Sequence, residues 1–229
     1  GGTAEQGGKA CEQSEGGEEK MSILTTWGYS LTDVNEIPGM MTLSEFNYFT
    51  AEKYISDSRV EPDINAASNA IRNYCGWHVF PPLACELNTT LYDKGVSVND
   101  HVMMIQLPAT FVSSIESIQI GDEIIDGTYV LMPNGILRVH GICWSHLKMW
   151  TPVVIRYTAG LPEGASAGIK ELIAHRVVHA LASPEGIQSE TTGGVSITYN
   201  ASWINNSRAT ALADDNKEVL SPYRLRGVF

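Results

Sequence analysis

The chain has 229 residues, 43% hydrophobic and 18% charged, a balance that suits one well-buried domain or two small ones. Its formal net charge of -11 has the wrong sign for a protein that wraps nucleic acid by neutralising phosphates, which disfavours tight, sequence-blind DNA binding. Four cysteines (Cys11, Cys75, Cys85, Cys143) form no CxxC pair, no apolar run approaches the ~18 residues of a membrane span, and the N-terminus lacks a signal-peptide core. Reduced thiols in a cytoplasm, no membrane and no zinc signature are the expectations that follow.

In chain order, residues 1–20 set Gly1, Gly2, Gly7, Gly8, Gly16 and Gly17 among Glu5, Glu12, Glu15, Glu18 and Glu19. High backbone entropy and little to bury make this an acidic, flexible tail. Thr42-Leu43-Ser44-Glu45 is a capping box, so a helix is expected over about 43–56. Glu61-Pro62-Asp63 opens a second, over 62–75, with proline where its missing donor costs nothing and acids near the positive end of the dipole. Ile64, Ala67, Ile71 and Tyr74 or Cys75 form one apolar stripe, and Gly76 supplies a left-handed stop. The pair reads as a helical hairpin with one buried face.

Period two takes over from about 83 to 158. Gly121-Asp122 and Asn134-Gly135 are hairpin turns between alternating runs, and Val153, Ile155 and Tyr157 alternate on a later strand. An antiparallel β unit, a meander or partial barrel, is thus inserted between helices. Ser166 then caps a helix over 166–182, where Ile169, Ile173 and Val177 line one side and Leu172, Val178 and Leu181 widen the arc. So broad an arc marks these six residues as a subunit interface. Gly193-Gly194 centres a hairpin over about 187–200, and a short helix from about 209 to 220 breaks before Pro222. The last segment, 221–229, carries Tyr223, Arg224, Leu225, Arg226, Val228 and Phe229 and no acid. Basic and apolar at once, it reads as a docking arm for an acidic partner surface. The fold class is α+β: a tail over 1–20, a domain over 21–220 and an arm over 221–229, which truncation after Leu220 should remove without lowering the melting transition.

Enzyme signatures are present but lack their context. Gly164-Ala165-Ser166-Ala167-Gly168 matches the nucleophile elbow of a serine hydrolase. Four residues, Gly160 to Glu163, separate it from its strand, and the only downstream histidines, His175 and His179, share its own helix. Those two have the spacing of a metalloprotease helix, yet Arg176 stands where the general-base glutamate belongs. No catalytic residue, metal or cofactor is expected. A helix-turn-helix DNA reader over 43–76 is the other alternative, and there Glu45, Glu52, Asp57, Glu61 and Asp63 outnumber Lys53, Arg59 and Arg72.

Several segments together carry a family resemblance: residues 64–76 (INAASNAIRNYCG), Leu107-Pro108 before Ser114-Ile115-Glu116-Ser117-Ile118, Tyr157-Thr158-Ala159-Gly160, and Gly193-Gly194-Val195-Ser196-Ile197-Thr198-Tyr199 with Tyr223-Arg224. In this order, over about 43–226, they resemble the head-to-tail connector (adaptor) proteins of long-tailed bacteriophages, the siphovirus type. The resemblance implies a homo-oligomeric ring, roughly twelve-fold, beneath the portal. Double-stranded DNA would pass its lumen during packaging and ejection without specific binding. It further implies a portal protein as partner of the arm, tail or stopper and terminator proteins below, and a place in the virion neck after assembly in the bacterial host cytoplasm.

Overall fold

Alternation from Leu83 onward builds two antiparallel sheets. In the computed structural model, which describes residues 22–99, 101–125, 128–141, 148, 150–182, 189–192, 195–198, 212 and 214–225, the first sheet has six strands. They are β1 (Ser22–Leu24), β2 (Ser30–Thr32), β3 (Leu83–Thr90), β6 (Val112–Ile120), β7 (Glu123–Ile124) and β10 (Pro152–Ala159), in spatial order β1-β2-β3-β10-β6-β7. The second orders β4 (Val96–Asn99), β5 (Val102–Gln106), β9 (Ile136–His140) and β8 (Tyr129–Met132) as β4-β5-β9-β8. The tail at 1–20, Cys11, Cys143, the Gly193-Gly194 turn and Arg226, Val228 and Phe229 lie outside the described residues. Flanking that turn, β11 (Ser189–Thr192) pairs antiparallel with β12 (Val195–Thr198).

Strand β10 is the centre of the large sheet. It pairs over its whole length with β3, from Pro152 opposite Thr90 to Ala159 opposite Leu83, and on its other side with β6. Val153, Ile155, Tyr157 and Ala159 are all buried on one face, the period-two pattern of a half-covered strand. Gly121 (φ 60) opens the two-residue turn between β6 and β7, as the sequence suggests. The Asn134-Gly135 turn is one residue longer than expected: Met132 pairs with Ile136, leaving Pro133 inside the loop. Gly135 is required there, with φ 73 and a virtual Cβ 2.0 Å from the Ala109 carbonyl oxygen.

Four helices complete the described fold: α1 (Leu43–Phe49), α2 (Val60–Cys75), α3 (Ala167–Ala182) and α4 (Asp214–Leu220). The capping box forms as read, with the Glu45 N–H donating to Thr42 Oγ1 at 3.2 Å and the Thr42 N–H to Glu45 Oε2 at 2.7 Å. Yet α1 ends at Phe49 and not near 56. The Thr50 hydroxyl donates to the Phe46 carbonyl, and Ala51 and Glu52 turn left-handed (φ 50 and 61), bringing Tyr54 against the buried Phe46 ring. Helix α2 starts two residues early, where Asp57 Oδ1 takes the Arg59 N–H. It stops where expected, at Gly76 with φ 79. Ser166 does not cap α3 with its side chain; its hydroxyl donates backward to the Glu163 carbonyl at 2.7 Å.

Helices α2 and α3 pack on each other. Ile64, Ala67, Ile71 and Cys75 from α2 and Ile169, Ile173, Val177 and Leu181 from α3 join Phe46, Trp77, Leu31, Ile155 and Leu137 in one hydrophobic cluster with residues of both sheets. Each large side chain fully buried in it contributes ~1.5–3 kcal/mol.

Candidate interaction surface

The C-terminal end of α2 organises the surface where the chain leaves the core. Trp77, fully buried, donates its indole Nε1–H to the Tyr223 carbonyl at 2.7 Å. The Leu225 N–H donates to the Cys75 carbonyl at 2.9 Å, and the Tyr74 hydroxyl to the Lys217 carbonyl at 3.1 Å. Arg224, exposed, lays its guanidinium over the Tyr74 ring, 5.2 Å from the centroid. Tyr223, Arg224 and Leu225, the first residues of the segment expected to dock, are therefore held against the end of α2 and Trp77 of the same chain. The expectation that truncation after Leu220 carries no stability cost is corrected by these bonds: cutting there leaves a buried indole donor without its acceptor.

The six residues expected at a subunit interface divide by burial. Ile169, Ile173, Val177 and Leu181 lie in the core of the single chain, in one cluster with residues of α2 and both sheets; Leu172 and Val178 are half-buried on the rim of α3. A broad apolar arc thus satisfies the chain's own sheet and helix first. Phe49 and Leu43 of α1 are each 43% exposed, and Phe49 meets His175 edge-on at 5.5 Å. Lys170 ties α3 to α1 by donating to Glu45 Oε1 at 2.6 Å and to Glu163. Burial pulls the Glu45 carboxyl upward, but the Lys170 and Thr42 hydrogen bonds outweigh it and hold the group below its ordinary value.

A buried polar hub lies behind this surface, and no motif announces it. Arg72, 2% exposed, donates to the carbonyls of His78 (3.1 Å), Phe80 (3.2 Å) and Pro38. His78 is fully buried, its Nε2 2.7 Å from the Ala159 carbonyl and its Nδ1 2.8 Å from the Tyr29 hydroxyl. A carbonyl only accepts, so Nε2 carries the proton and Nδ1 accepts from Tyr29. Burial pushes the imidazole down to about 4 and the Arg72 guanidinium down to about 10. The hub fastens the N-terminal strands, α2 and β10 together. An arginine on a helix face facing only carbonyls is a structural clamp.

The enzyme signatures stay apart. Ser166 is buried with its proton given to the Glu163 carbonyl, and His175 begins nine residues further along α3, about 13 Å of helix rise away. His175 is exposed, 3.7 Å from Glu171; among the described residues no three His, Cys, Asp or Glu side chains stand together as a metal site. The solvent face of α2 presents Glu61, Pro62, Asn65, Asn69 and Asn73, without a single cation for a phosphate. No helix of the described residues is long and apolar enough to cross a membrane.

The sequence matches a family described as head completion protein over residues 39–224, from just before α1 to the root of the arm. The chain belongs to the head completion protein family. Its role is thus that of a structural component of a phage head, part of a virion assembled with other virion proteins. A chain in a solved structure described as the virion of a native gene transfer agent particle is also similar: 17% identity, TM-score 0.46, covering 79% of this chain and 96% of that one. No curated protein matches the chain.

Proposed function

We propose that this head completion protein is the head-to-tail adaptor of a bacteriophage neck. Subunits, about twelve by resemblance to such adaptors, form a ring under the portal that joins capsid to tail and conducts the genome. The observation that carries this reading is the family match running to residue 224, into an arm whose root is fastened to α2 and whose following residues, Arg226, Val228 and Phe229, are basic and apolar. Those residues dock on the portal, where an extended end gains by burial and by adding to a sheet edge. The half-buried Leu172 and Val178 on α3 are the patch offered to the next subunit. Heterologous contacts of this kind close into a ring only with a second, complementary face. The acidic net charge favours a lumen that repels phosphates, so the duplex slides through it.

Truncation after Leu225 tests the portal contact, because it removes Arg226–Phe229 and keeps the Trp77 bond. The truncated protein is expected to stay folded and to be lost from portal-bearing heads. Full retention would move the docking surface to the helices.

A further inference from the structure

Strand β6 has a partner along only one of its borders. On one side β10 accompanies it from Val112 to Ile120; on the other, β7 reaches Gln119 and Ile120, and the Ile125 N–H adds a bond to the Ile118 carbonyl. From Val112 to Ser117 no strand among the described residues pairs with that second border. A row of unpaired backbone groups is a template for one more strand. The Tyr129 hydroxyl stands 3.5 Å from the Ile115 carbonyl, at the limit of a hydrogen bond, so that carbonyl points to the open side. In an antiparallel ladder the N–H of the same residue points with it.

The side chains along the border say what kind of strand fits. Ile115 stands opposite Tyr157 and Val112 opposite Ala159 on the core-facing side. Tyr157 and Ala159 are buried, whereas Val112 and Ile115 are half-buried and Tyr129 is 43% exposed. Ser114 and Ser117 stand on the solvent side, opposite Thr158 and Arg156. Exposed Glu116 accepts the Thr158 hydroxyl at 3.0 Å, while Arg156 is held by Glu86 of β3 at 2.8 Å. Asp122 and Glu123, both exposed on the β7 hairpin, extend the negative charge. The register with β10 shifts twice, between Arg156 and Tyr157 and between Thr158 and Ala159, and such bulges twist a strand. A short extended segment can follow a twisted border; the flat edge of another sheet cannot.

We propose that the β6 border receives an added strand from another virion protein, an extended segment whose side chains alternate apolar and basic. Its apolar side chains cover Val112, Ile115 and Tyr129, and its cations lie beside Glu116. Main-chain hydrogen bonds supply the affinity, and the alternation selects the segment. The border belongs to the β half of the chain and stands apart from the portal contact of the arm.

The test uses the purified full chain and a capped hexapeptide alternating lysine and valine. The peptide is expected to bind saturably, to move the NMR amide signals of Val112–Ser117, and to bind at least about fivefold more tightly than a glutamate–valine hexapeptide. Full N-methylation, which removes every main-chain donor of the peptide, should abolish binding. Glu116→Lys, at an exposed side chain that leaves the core intact, should reverse the charge preference. No binding, equal binding of the two charge forms, or binding by the N-methylated peptide would overturn the proposal. Hydrogen exchange over 112–117 reads the source of the strand: slow in assembled virions and fast in the free chain is the expected result. Fast exchange in both would overturn it, as would slow exchange that appears when the free chain self-associates, which would put a second copy on the border. Neither experiment reads the portal contact, which retention on heads tests separately.

Discussion

Arg72 and His78 tie separate segments of the fold together through buried hydrogen bonds. Arg72→Leu keeps the helix and much of the volume but removes the side-chain donor of the Phe80 and Pro38 carbonyls, while the His78 carbonyl keeps the Phe80 N–H; at ~1–3 kcal/mol for a buried group left unsatisfied it should cost about 2 kcal/mol in urea unfolding. Arg72→Lys, with one point charge in place of a fork, should fall between. His78 makes stability depend on pH. Its folded value of about 4 lies below the ordinary 6.5, so the unfolded chain binds the extra proton between them. Stability is full above pH 6.5 and falls as pH drops toward 4, by up to roughly 3 kcal/mol. His78→Gln should flatten that slope between pH 6.5 and 4.5, measured as the urea midpoint against pH. Below that range Glu86 adds loss of the same sign, since the hydrogen bonds from Asn88 and Arg156 hold its carboxyl low.

Among the elements, the arm's root and the β10 exit give the sharpest contrasts. Truncation after Leu220 removes the acceptor of a buried indole and the Leu225 bond, about 2 kcal/mol, so its melting transition should lie roughly 4–8 °C below that of a chain cut after Leu225. Gly160 has φ 134, and a Cβ on it would stand 2.5 Å from the Pro81 carbonyl oxygen and from Pro82 Cα. Gly160→Ala should therefore lower the yield of folded protein or cost several kcal/mol, read by calorimetry, since the backbone it strikes cannot give. Sequence pattern made α2, α3, β10 and the capping box legible, because period and caps are local properties. It left β1 and β2 unread: three residues each are too short to display a period, and their pairing, Leu31 opposite Cys85, spans half a hundred positions. The end of α1 was hidden for a related reason, as Ala51 and Glu52 adopt left-handed angles without glycine to announce them. The Thr50 hydroxyl on the Phe46 carbonyl and the contact of Tyr54 with Phe46 accompany that stop. The candidate site divided likewise. Hydrophobic residues on α3 were readable as a stripe, but which neighbour covers each one is a property of packing, and the chain's own core takes four of the six.

For the whole molecule, the proposed ring is the property to measure. Leu172→Glu with Val178→Glu places charge on the rim and not in the core, so the monomer should keep its melting transition within about 1 kcal/mol while ring formation on portal, counted by native mass spectrometry, is lost. Unchanged ring assembly in that variant would move the subunit contact away from α3.

The large sheet, with β10 at its centre, has a consequence for the subunit before it meets any partner. Its two border strands are β1 and β7, three and two residues long. An unpaired strand border is a template on which other chains can polymerise, and the hazard grows with its length and flatness. Strand β10 is paired on both sides along its length, whereas β7 meets β6 only at Gln119 and Ile120 and β2 meets β3 only at Cys85 and Glu86, so among the described residues Val112–Ser117 of β6 form a strand border that no other strand pairs. A virion part must stay dispersed until it is assembled. The border of β6 is the place on this sheet where a neighbouring strand would add.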